Sequence, residues 1–157
     1  MLYAVLTATV WVLDRWSKIL VVDRFPLWHR QPLLGNWLSL THVRNTGAAF
    51  GLLRNQTLLL ALVTIGLIGS LFFLRRHIES LSRWGKIGIA LVLGGALGNL
   101  YDRLFLGYVV DFLELPYWPV FNVADSAVVV GVGLLCIGIW TWERGVQDGA
   151  HSSADSE

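Results

Sequence analysis

The sequence has few charged residues and only one cysteine. Charged residues make up 15% of the 157 residues and hydrophobic residues 55%, whereas a typical soluble domain has roughly 25% charged residues. The composition therefore excludes an ordinary soluble domain and indicates a membrane protein. The single cysteine, Cys136, lies in an apolar run, which excludes a disulfide framework and a cysteine metal cluster.

The motifs of several common enzyme classes are also missing from the sequence. The four histidines are scattered, with no H-E-x-x-H pattern for zinc. No serine lies in a G-x-S-x-G turn, and there is no phosphate-binding G-x-x-x-x-G-K-[ST] loop. The net charge of +1 does not predict a nucleic-acid partner. These absences leave the acidic residues as the best candidates for chemistry.

Long apolar segments are the main feature that the sequence does have. A helix needs ~20 mostly apolar residues to cross a bilayer. Four segments qualify: Tyr3–Val22, Thr57–Leu74, Trp84–Tyr101 and Ala124–Trp142. We therefore expect an all-α integral membrane protein with four transmembrane helices. They should form a single domain over residues 1–143, followed by a polar, disordered tail at 144–157.

The distribution of basic residues predicts the orientation of these segments. Positive charge favours the cytoplasmic side of a membrane. The short linker between the second and third segments carries Arg75, Arg76, Arg83 and Lys86. Both termini are then cytoplasmic as well, and the first linker is extracytoplasmic. That linker contains Asn36–Arg44, which is rich in β-forming residues and is followed by the turn signal Asn45-Thr46-Gly47. We expect a small extramembrane β-element there.

Polar residues are concentrated at one face of the predicted membrane domain. In this topology, five parts of the chain lie towards the same side of the membrane. They are the later half of the first segment, the first linker, the end of the third segment, the next loop and the start of the fourth segment. The polar residues in those places are Asp14, Lys18, Asn45, Asn99, Asp102, Arg103, Asp111, Asn122 and Asp125. Ionisable groups in such positions are costly, so their default interpretation is a functional site.

Several of these residues have a structural explanation beside the functional one. Asp14 and Lys18 are spaced i, i+4 and would form an ion pair on a helix, most simply a structural one. Asn99, Asp102 and Arg103 share one helix face. They would either cap the helix end through an Asp–Arg pair or position a ligand with the forked guanidinium.

The two remaining acids, Asp111 and Asp125, differ in their predicted environments. Asp111 follows two valines in a loop, where desolvation would raise its pKa. Asp125 begins the fourth segment, where the helix dipole stabilises an anion. An interfacial loop acid and a helix-terminal charge would explain them separately. If the two are close, they would share one proton and catalyse attack of water on an amide.

The motifs also occur together in a recognisable order. The sequence contains DRWSK (Asp14–Lys18), RNTGAAFG (Arg44–Gly51), GGALGNLYDR (Gly94–Arg103), VVDF (Val109–Phe112) and FNVADSAV (Phe121–Val128). In order and spacing, this set resembles the motifs of bacterial lipoprotein signal peptidase, also called signal peptidase II. The resemblance covers about the first 143 residues. One departure is Arg15, where the family usually carries Gln.

The resemblance implies an intramembrane aspartic endopeptidase of the bacterial cytoplasmic (inner) membrane, with its active site near the extracytoplasmic face. The substrates would be diacylglyceryl-modified prolipoproteins, cut on the N-terminal side of the lipidated cysteine. The implied catalytic pair is Asp111 and Asp125. Substrate-binding or supporting roles fall to Asp14, Lys18, Asn45, Gly47, Asn99, Asp102, Arg103 and Asn122. The resemblance further implies no metal and no cofactor, contact with membrane lipids, inhibition by globomycin, and action as a monomer.

Two functions of other classes stand as alternatives. A small proton-coupled transporter would use the acids as a relay, but the second and fourth segments have almost no ionisable groups in their interior. A relay would therefore be confined to one side of the membrane. A non-catalytic lipid-binding or assembly subunit would need no acid pair. Mutation of the acids distinguishes such a subunit from an enzyme.

Overall fold

The computed structural model describes the backbone of residues 1–48 and 52–154, and the side chains of these residues apart from 75 and 142–154. The described residues form five helices: α1 (Leu2–Arg24), α2 (Thr57–Phe73), α3 (Arg75–Ser80), α4 (Arg83–Phe105) and α5 (Val123–Ala154). They also form three strands: β1 (Arg30–Leu34), β2 (Leu38–Asn45) and β3 (Val109–Glu114). The four long helices coincide with the four predicted apolar segments, and the mostly helical fold with a small sheet is confirmed.

Helix α4 is the centre of the helical bundle. It packs against α5, α1 and α2, and small residues on its buried face bring the backbones close together. A Cβ atom on Gly88 would lie 2.5 Å from the carbonyl oxygen of Gly131 in α5. A Cβ atom on Gly94 would lie 2.8 Å from the carbonyl oxygen of Thr7 in α1. These contacts place α1 and α5 on either side of α4.

The bundle surface is apolar over much of its area. Helix α2 is apolar all round, yet Ala61 is its only buried residue, a pattern that suits a helix surrounded by lipid. Among the described residues, one helix is long and apolar enough to cross a membrane, over Val123–Thr141, with a mean hydropathy of 2.1. Helix α2 is apolar but has only 17 residues. The prediction of four crossing helices therefore stays a prediction.

The three strands form an antiparallel sheet in the order β1-β2-β3. The predicted β-element corresponds to β2, whereas β1 and β3 were missed. The expectation that Asp111 lies in a loop is wrong, because Asp111 lies within β3 and pairs with Val43 of β2. A short strand depends on its partner, and here the partner lies far away in the chain. The sheet thereby brings the end of β2 next to the segment that joins α4 to α5.

Helix α5 extends to Ala154 and so continues past the predicted domain boundary at residue 143. The single-domain division and the disorder of residues 144–157 stay predictions, and 155–157 lie outside the described residues. Residues 49–51, which end the RNTGAAFG motif, also lie outside them.

Candidate active site

Eight polar side chains from α1, β2, α4, β3 and α5 meet at one end of the bundle. Hydrogen bonds and ion pairs connect Asp14, Lys18, Asn45, Asn99, Asp102, Asp111, Asn122 and Asp125. Six of the eight are buried, and only Asn45 and Asp125 are partly exposed. The structure thus brings together residues that the sequence distributes over 112 positions, from 14 to 125.

Asp111 lies on β3 with only 2% of its surface exposed. Its Oδ2 accepts a hydrogen bond from Asn45 Nδ2 at 2.8 Å, and its Oδ1 accepts one from Asn122 Nδ2 at 2.7 Å. Burial, followed by the negative charge of Asp125, raises the pKa of Asp111 to about 7. Asp111 can therefore hold a proton near neutral pH, where an exposed carboxyl would be ionised.

Asp125 lies in the first turn of α5 and forms a reciprocal cap with Asn122. The backbone N–H of Asn122 donates to Asp125 Oδ2 at 3.1 Å, and the backbone N–H of Asp125 donates to Asn122 Oδ1 at 2.9 Å. The other oxygen, Oδ1, accepts from Asn99 Nδ2 at 2.7 Å. The helix-terminal explanation for Asp125 is therefore correct, and the same cap fixes the direction of its carboxylate.

Asn122 connects the two acids to each other. It is fully buried, and it donates from its side chain to Asp111 while its backbone N–H binds Asp125. Both acids line a cavity of about 230 Å³. Arg103 lines the same cavity, and its guanidinium interacts electrostatically with both carboxyls. The cavity thus contains two acids of different surroundings and one positive charge.

Lys18 contacts both of the buried carboxylates behind this cavity. Its Nζ lies 2.7 Å from Asp14 Oδ2 and 2.9 Å from Asp102 Oδ2, and it donates to Asn99 Oδ1 at 2.9 Å. The predicted Asp14–Lys18 pair is present. A cap through an Asp102–Arg103 pair, one of the two explanations for this helix face, is wrong, because Asp102 lies towards α1 and pairs with Lys18 and Arg15. Neighbours on one helix compete with partners on another, and spacing alone does not decide between them.

The two carboxylates on Lys18 also hold the backbone beside the acids. Asp14 Oδ1 accepts a hydrogen bond from the backbone N–H of Ala124 at 3.0 Å. Asp102 Oδ2 accepts one from the backbone N–H of Val110 at 3.2 Å. Each N–H belongs to the residue immediately before one of the two acids. Lys18 and its two partners thereby fix β3 and the start of α5 relative to α1 and α4.

Two glycines are required by the geometry of the site. The backbone N–H of Gly47 donates to Asn45 Oδ1 at 2.9 Å, which orients the amide that binds Asp111. A Cβ atom on Gly47 would lie 2.6 Å from the carbonyl oxygen of Leu52. A Cβ atom on Gly98 would lie 2.5 Å from Asp14 Oδ2. Sequence analysis missed this role of Gly98, because its only signal is the absence of a side chain.

A second, larger cavity of about 620 Å³ adjoins the first and shares Asp111 and Asn45 with it. Three of its lining residues, Trp28, Asn55 and Tyr117, have positive φ angles of 67°, 60° and 62°. Such backbone conformations are uncommon for residues other than glycine and cluster at functional sites. Arg44, Asn45 and Asp111 of the sequence motifs line this cavity, but the sequence gives no signal for the positive φ angles.

The site offers proton transfer between two carboxyl groups in different environments. Asp111 is buried with a raised pKa, whereas Asp125 is stabilised at a helix N-terminus. Such a pair can share a proton and act as general acid and general base. No group of three or more His, Cys, Asp and Glu side chains that could hold a metal ion occurs in the part of the chain that the structure describes.

Comparison with known proteins assigns the chain to a family. A family model described as Signal peptidase (SPase) II, Peptidase_A8, matches residues 6–141. The lipoprotein signal peptidase of Anoxybacillus flavithermus is 40% identical over 99% of this chain and 96% of its own length. That of Moorella thermoacetica is 43% identical over 85% and 89%, respectively.

A solved structure agrees with these sequence matches. A bacterial membrane enzyme determined by the in meso method at 2.3 Å resolution superposes with a TM-score of 0.82 at 28% identity. The superposition covers 88% of this chain and 87% of that one. The family expected from the motifs is thus confirmed, and the chain belongs to the signal peptidase II family of aspartic-type peptidases.

Proposed function

We propose that the protein removes the signal peptide from diacylglyceryl-modified prolipoproteins, cutting on the N-terminal side of the lipidated cysteine. It does so as an intramembrane aspartic endopeptidase of the bacterial inner membrane. The observation that carries this proposal is the connection of Asp111 and Asp125 through Asn122 at one cavity. The names of the relatives support the substrate class.

The geometry supports a division of labour between the acids. Asp125, stabilised as an anion by the helix N-terminus, takes a proton from water as the water oxygen attacks the scissile carbonyl carbon. Asp111 gives its proton to the carbonyl oxygen, which produces a tetrahedral diol. The C–N bond then breaks as Asp125 gives its proton to the leaving nitrogen. Asp111 recovers a proton from a diol hydroxyl, and the carboxylic acid product forms.

The amides and Arg103 hold this arrangement in place. Asn45 and Asn122 donate to the two oxygens of Asp111, so that neither oxygen is free to turn away from the substrate. For Asp125, Asn99 donates to Oδ1 and the backbone N–H of Asn122 donates to Oδ2. The guanidinium of Arg103 faces both acids and would stabilise negative charge that develops on the peptide.

The walls of the smaller cavity support access from lipid. They include Val128 and Val129 of α5, and Val129 is 69% exposed on the apolar surface of the bundle. The acyl chains of a lipidated cysteine can stay in the bilayer while the scissile bond reaches the acids. We infer that α1, α2, α4 and α5 each cross the membrane. Both termini would be cytoplasmic, and the site would lie near the extracytoplasmic face.

The same cavities would accept globomycin as an inhibitor. Its cyclic peptide would occupy the larger cavity beside Trp28 and Tyr117 and block approach to Asp111. We also propose that the protein acts as a monomer.

Cleavage of a purified diacylglyceryl-modified prolipoprotein tests the proposal. Asp111→Asn and Asp125→Asn should each reduce kcat by at least about 10³-fold, because each removes one of the two proton-transfer groups. Glu114→Gln is the matched control, since Glu114 lies on the same strand but binds Arg30 and Thr41 instead of the cluster. A folded double mutant with wild-type cleavage would disprove the mechanism.

A further inference from the structure

A second cation, Arg15, adjoins the buried charges behind the site. Its guanidinium forms an ion pair with Asp102 Oδ1. It also lies over the ring of Tyr101, 4.4 Å from the ring centre. The side chain of Arg15 is only 17% exposed. Arg15 is therefore held in one position by a carboxylate on one side and an aromatic ring on the other.

Arg15 adds a second positive charge to this cluster of buried carboxyl groups. Asp14 and Asp102 have fully buried side chains, with 0% exposure each. Lys18 contacts both, but it supplies one positive charge for two negative ones. An uncompensated buried charge is strongly destabilising. Arg15 supplies the second positive charge and does so through the oxygen of Asp102 that Lys18 does not contact.

Asp102 connects Arg15 to β3, the strand that carries Asp111. One carboxylate oxygen of Asp102 binds Arg15, and the other accepts the backbone N–H of Val110 at 3.2 Å. Val110 is fully buried and immediately precedes Asp111. A rotation of the Asp102 carboxylate would therefore break a hydrogen bond next to Asp111. Asp102 is the only intermediate between Arg15 and the backbone of β3 in this chain of contacts.

We propose that Arg15 is a positioning residue for the peptidase reaction, which orients and neutralises Asp102 and thereby fixes the strand that carries Asp111. The inference rests on the proposed function, because it takes Asp111 as a proton-transfer group. Neither the motif resemblance nor the comparisons give Arg15 a role.

Removal of the Arg15 charge should be visible in the pH dependence of cleavage. The charged groups around Asp111 are Asp125 on α5, Lys18 on α1, Asp102 and Arg103 on α4, and Arg44 on β2. Removal of Arg15 makes the cluster of Asp14, Lys18 and Asp102 behind β3 one unit more negative, which favours the protonated form of Asp111. The proposed mechanism loses activity as Asp111 loses its proton. The alkaline limb of the kcat profile should therefore move to higher pH.

Three variants test the proposal: Arg15→Gln, Arg15→Lys and the control Arg24→Gln. Arg24 ends the same helix and is exposed. With the diacylglyceryl-modified substrate, Arg15→Gln should move the alkaline limb of kcat up by about 0.5 to 1 pH unit. It should also lower kcat by about 10-fold with little change in KM. Arg15→Lys should keep the alkaline limb at the wild-type pH, because the positive charge is retained. Its kcat should still be below that of the wild type, because an ammonium group lacks the forked geometry of a guanidinium. Arg24→Gln should match the wild type.

The proposal would be overturned if the alkaline limb of the kcat profile lay at the same pH in Arg15→Gln as in the wild type. A lower kcat with an unshifted limb would assign Arg15 a structural role only, and thermal unfolding of each variant would show it. If Arg15→Gln does not fold, Arg15→Lys carries the test, because a displaced limb in this charge-conserving variant contradicts the proposal. Asp111→Asn in the same assay distinguishes a failure of the proposed function from a failure of the inference about Arg15. Retained activity in that variant disproves the proposed function, whereas its loss together with an unshifted Arg15→Gln limb disproves this inference alone.

Discussion

Helix α4 contacts α5 by different means at its two ends. In its first half, Gly88 packs directly on the backbone of Gly131. In its second half, Asn99 forms hydrogen bonds with Asn122 and Asp125. The contact between Gly88 and Gly131 shows that these two helices can pack closely without polar side chains. Packing therefore does not require the polar cluster at the other end, and the cost of burying it points to function.

The cavities at the two ends differ in the same way. The cavity at the apolar end, between α1, α2, α3 and α4, has a volume of about 580 Å³, and the charged residues that line it are Glu79 and Lys86. The cavities at the polar end contain Asp111, bound by two amides and facing a second acid. The volumes alone do not distinguish these ends. The placement of titratable groups does.

The largest loss of stability is expected from Lys18→Met, which leaves Asp14 and Asp102 buried without their shared cation. The free energy of unfolding in detergent should fall by about 3–5 kcal/mol. Lys86→Met, at the apolar end, should cost about 1 kcal/mol or less. Equal losses of unfolding free energy in Lys18→Met and Lys86→Met would contradict the expected difference between the polar and apolar ends.

The next effect concerns two helix N-caps, Asn122 on α5 and Ser82 on α4. Alanine at either cap should lower the unfolding free energy by about 1 kcal/mol. Only Asn122→Ala should also lower kcat, by about 10²-fold, because it removes a donor to Asp111 and loosens Asp125. A comparable loss of kcat in Ser82→Ala would show that general destabilisation, and not the site, limits activity.

Glycine substitutions should give a smaller effect on kcat that again differs between the ends. Gly98→Ala and Gly88→Ala should each lower the unfolding free energy by about 1–3 kcal/mol through overcrowding. Gly98→Ala should also lower kcat, since its Cβ atom would displace Asp14. Gly66→Ala is the control, because a Cβ atom there meets nothing within 4 Å. Cleavage by Gly98→Ala at the wild-type rate would separate Asp14 from the site.

The smallest effect is expected from the exposed charge pair on the sheet. Arg30 Nε lies 2.9 Å from Glu114 Oε2, with 51% and 28% of the two side chains exposed. Glu114→Gln should change the unfolding free energy by less than about 1 kcal/mol, because solvent screens such pairs. The hydrogen bond from Thr41, and then Arg30, lower the pKa of Glu114. The difference from wild type should therefore be present at neutral pH and vanish in acid. A loss as large as that of Lys18→Met would contradict the distinction between buried and exposed pairs.

Local patterns predicted the helices and the residue types of the site, because apolar length and polar interruptions are properties of single segments. The strand β3 was missed since VVDFLE becomes a strand only through its pairing with β2. The Asp102–Arg103 pair, one of two explanations for that helix face, does not form for the same reason: Arg15 and Lys18, which bind Asp102, lie on another helix. Long-range contacts select among local options, and spacing along one segment does not contain them.

The motifs nevertheless located most of the site. Asn45, Asn99 and Asn122 were singled out: Asn45 binds Asp111, Asn99 binds Asp125, and Asn122 binds both. The hydrogen bonds from Ala124 and Val110 to the carboxylates on Lys18 could not be predicted, because backbone donors carry no sequence signature. Arg15 was visible only as a departure from the family pattern.

Difference infrared spectroscopy during a pH titration tests most directly whether the two acids share one proton. The wild type should show one protonated carboxyl that ionises near pH 7 and is absent in Asp111→Asn. In Asp125→Asn, the same carboxyl should ionise at lower pH, because the negative charge that raises the pKa of Asp111 is gone. Two carboxyls that ionise together near pH 4, each unaffected by mutation of the other, would contradict this account.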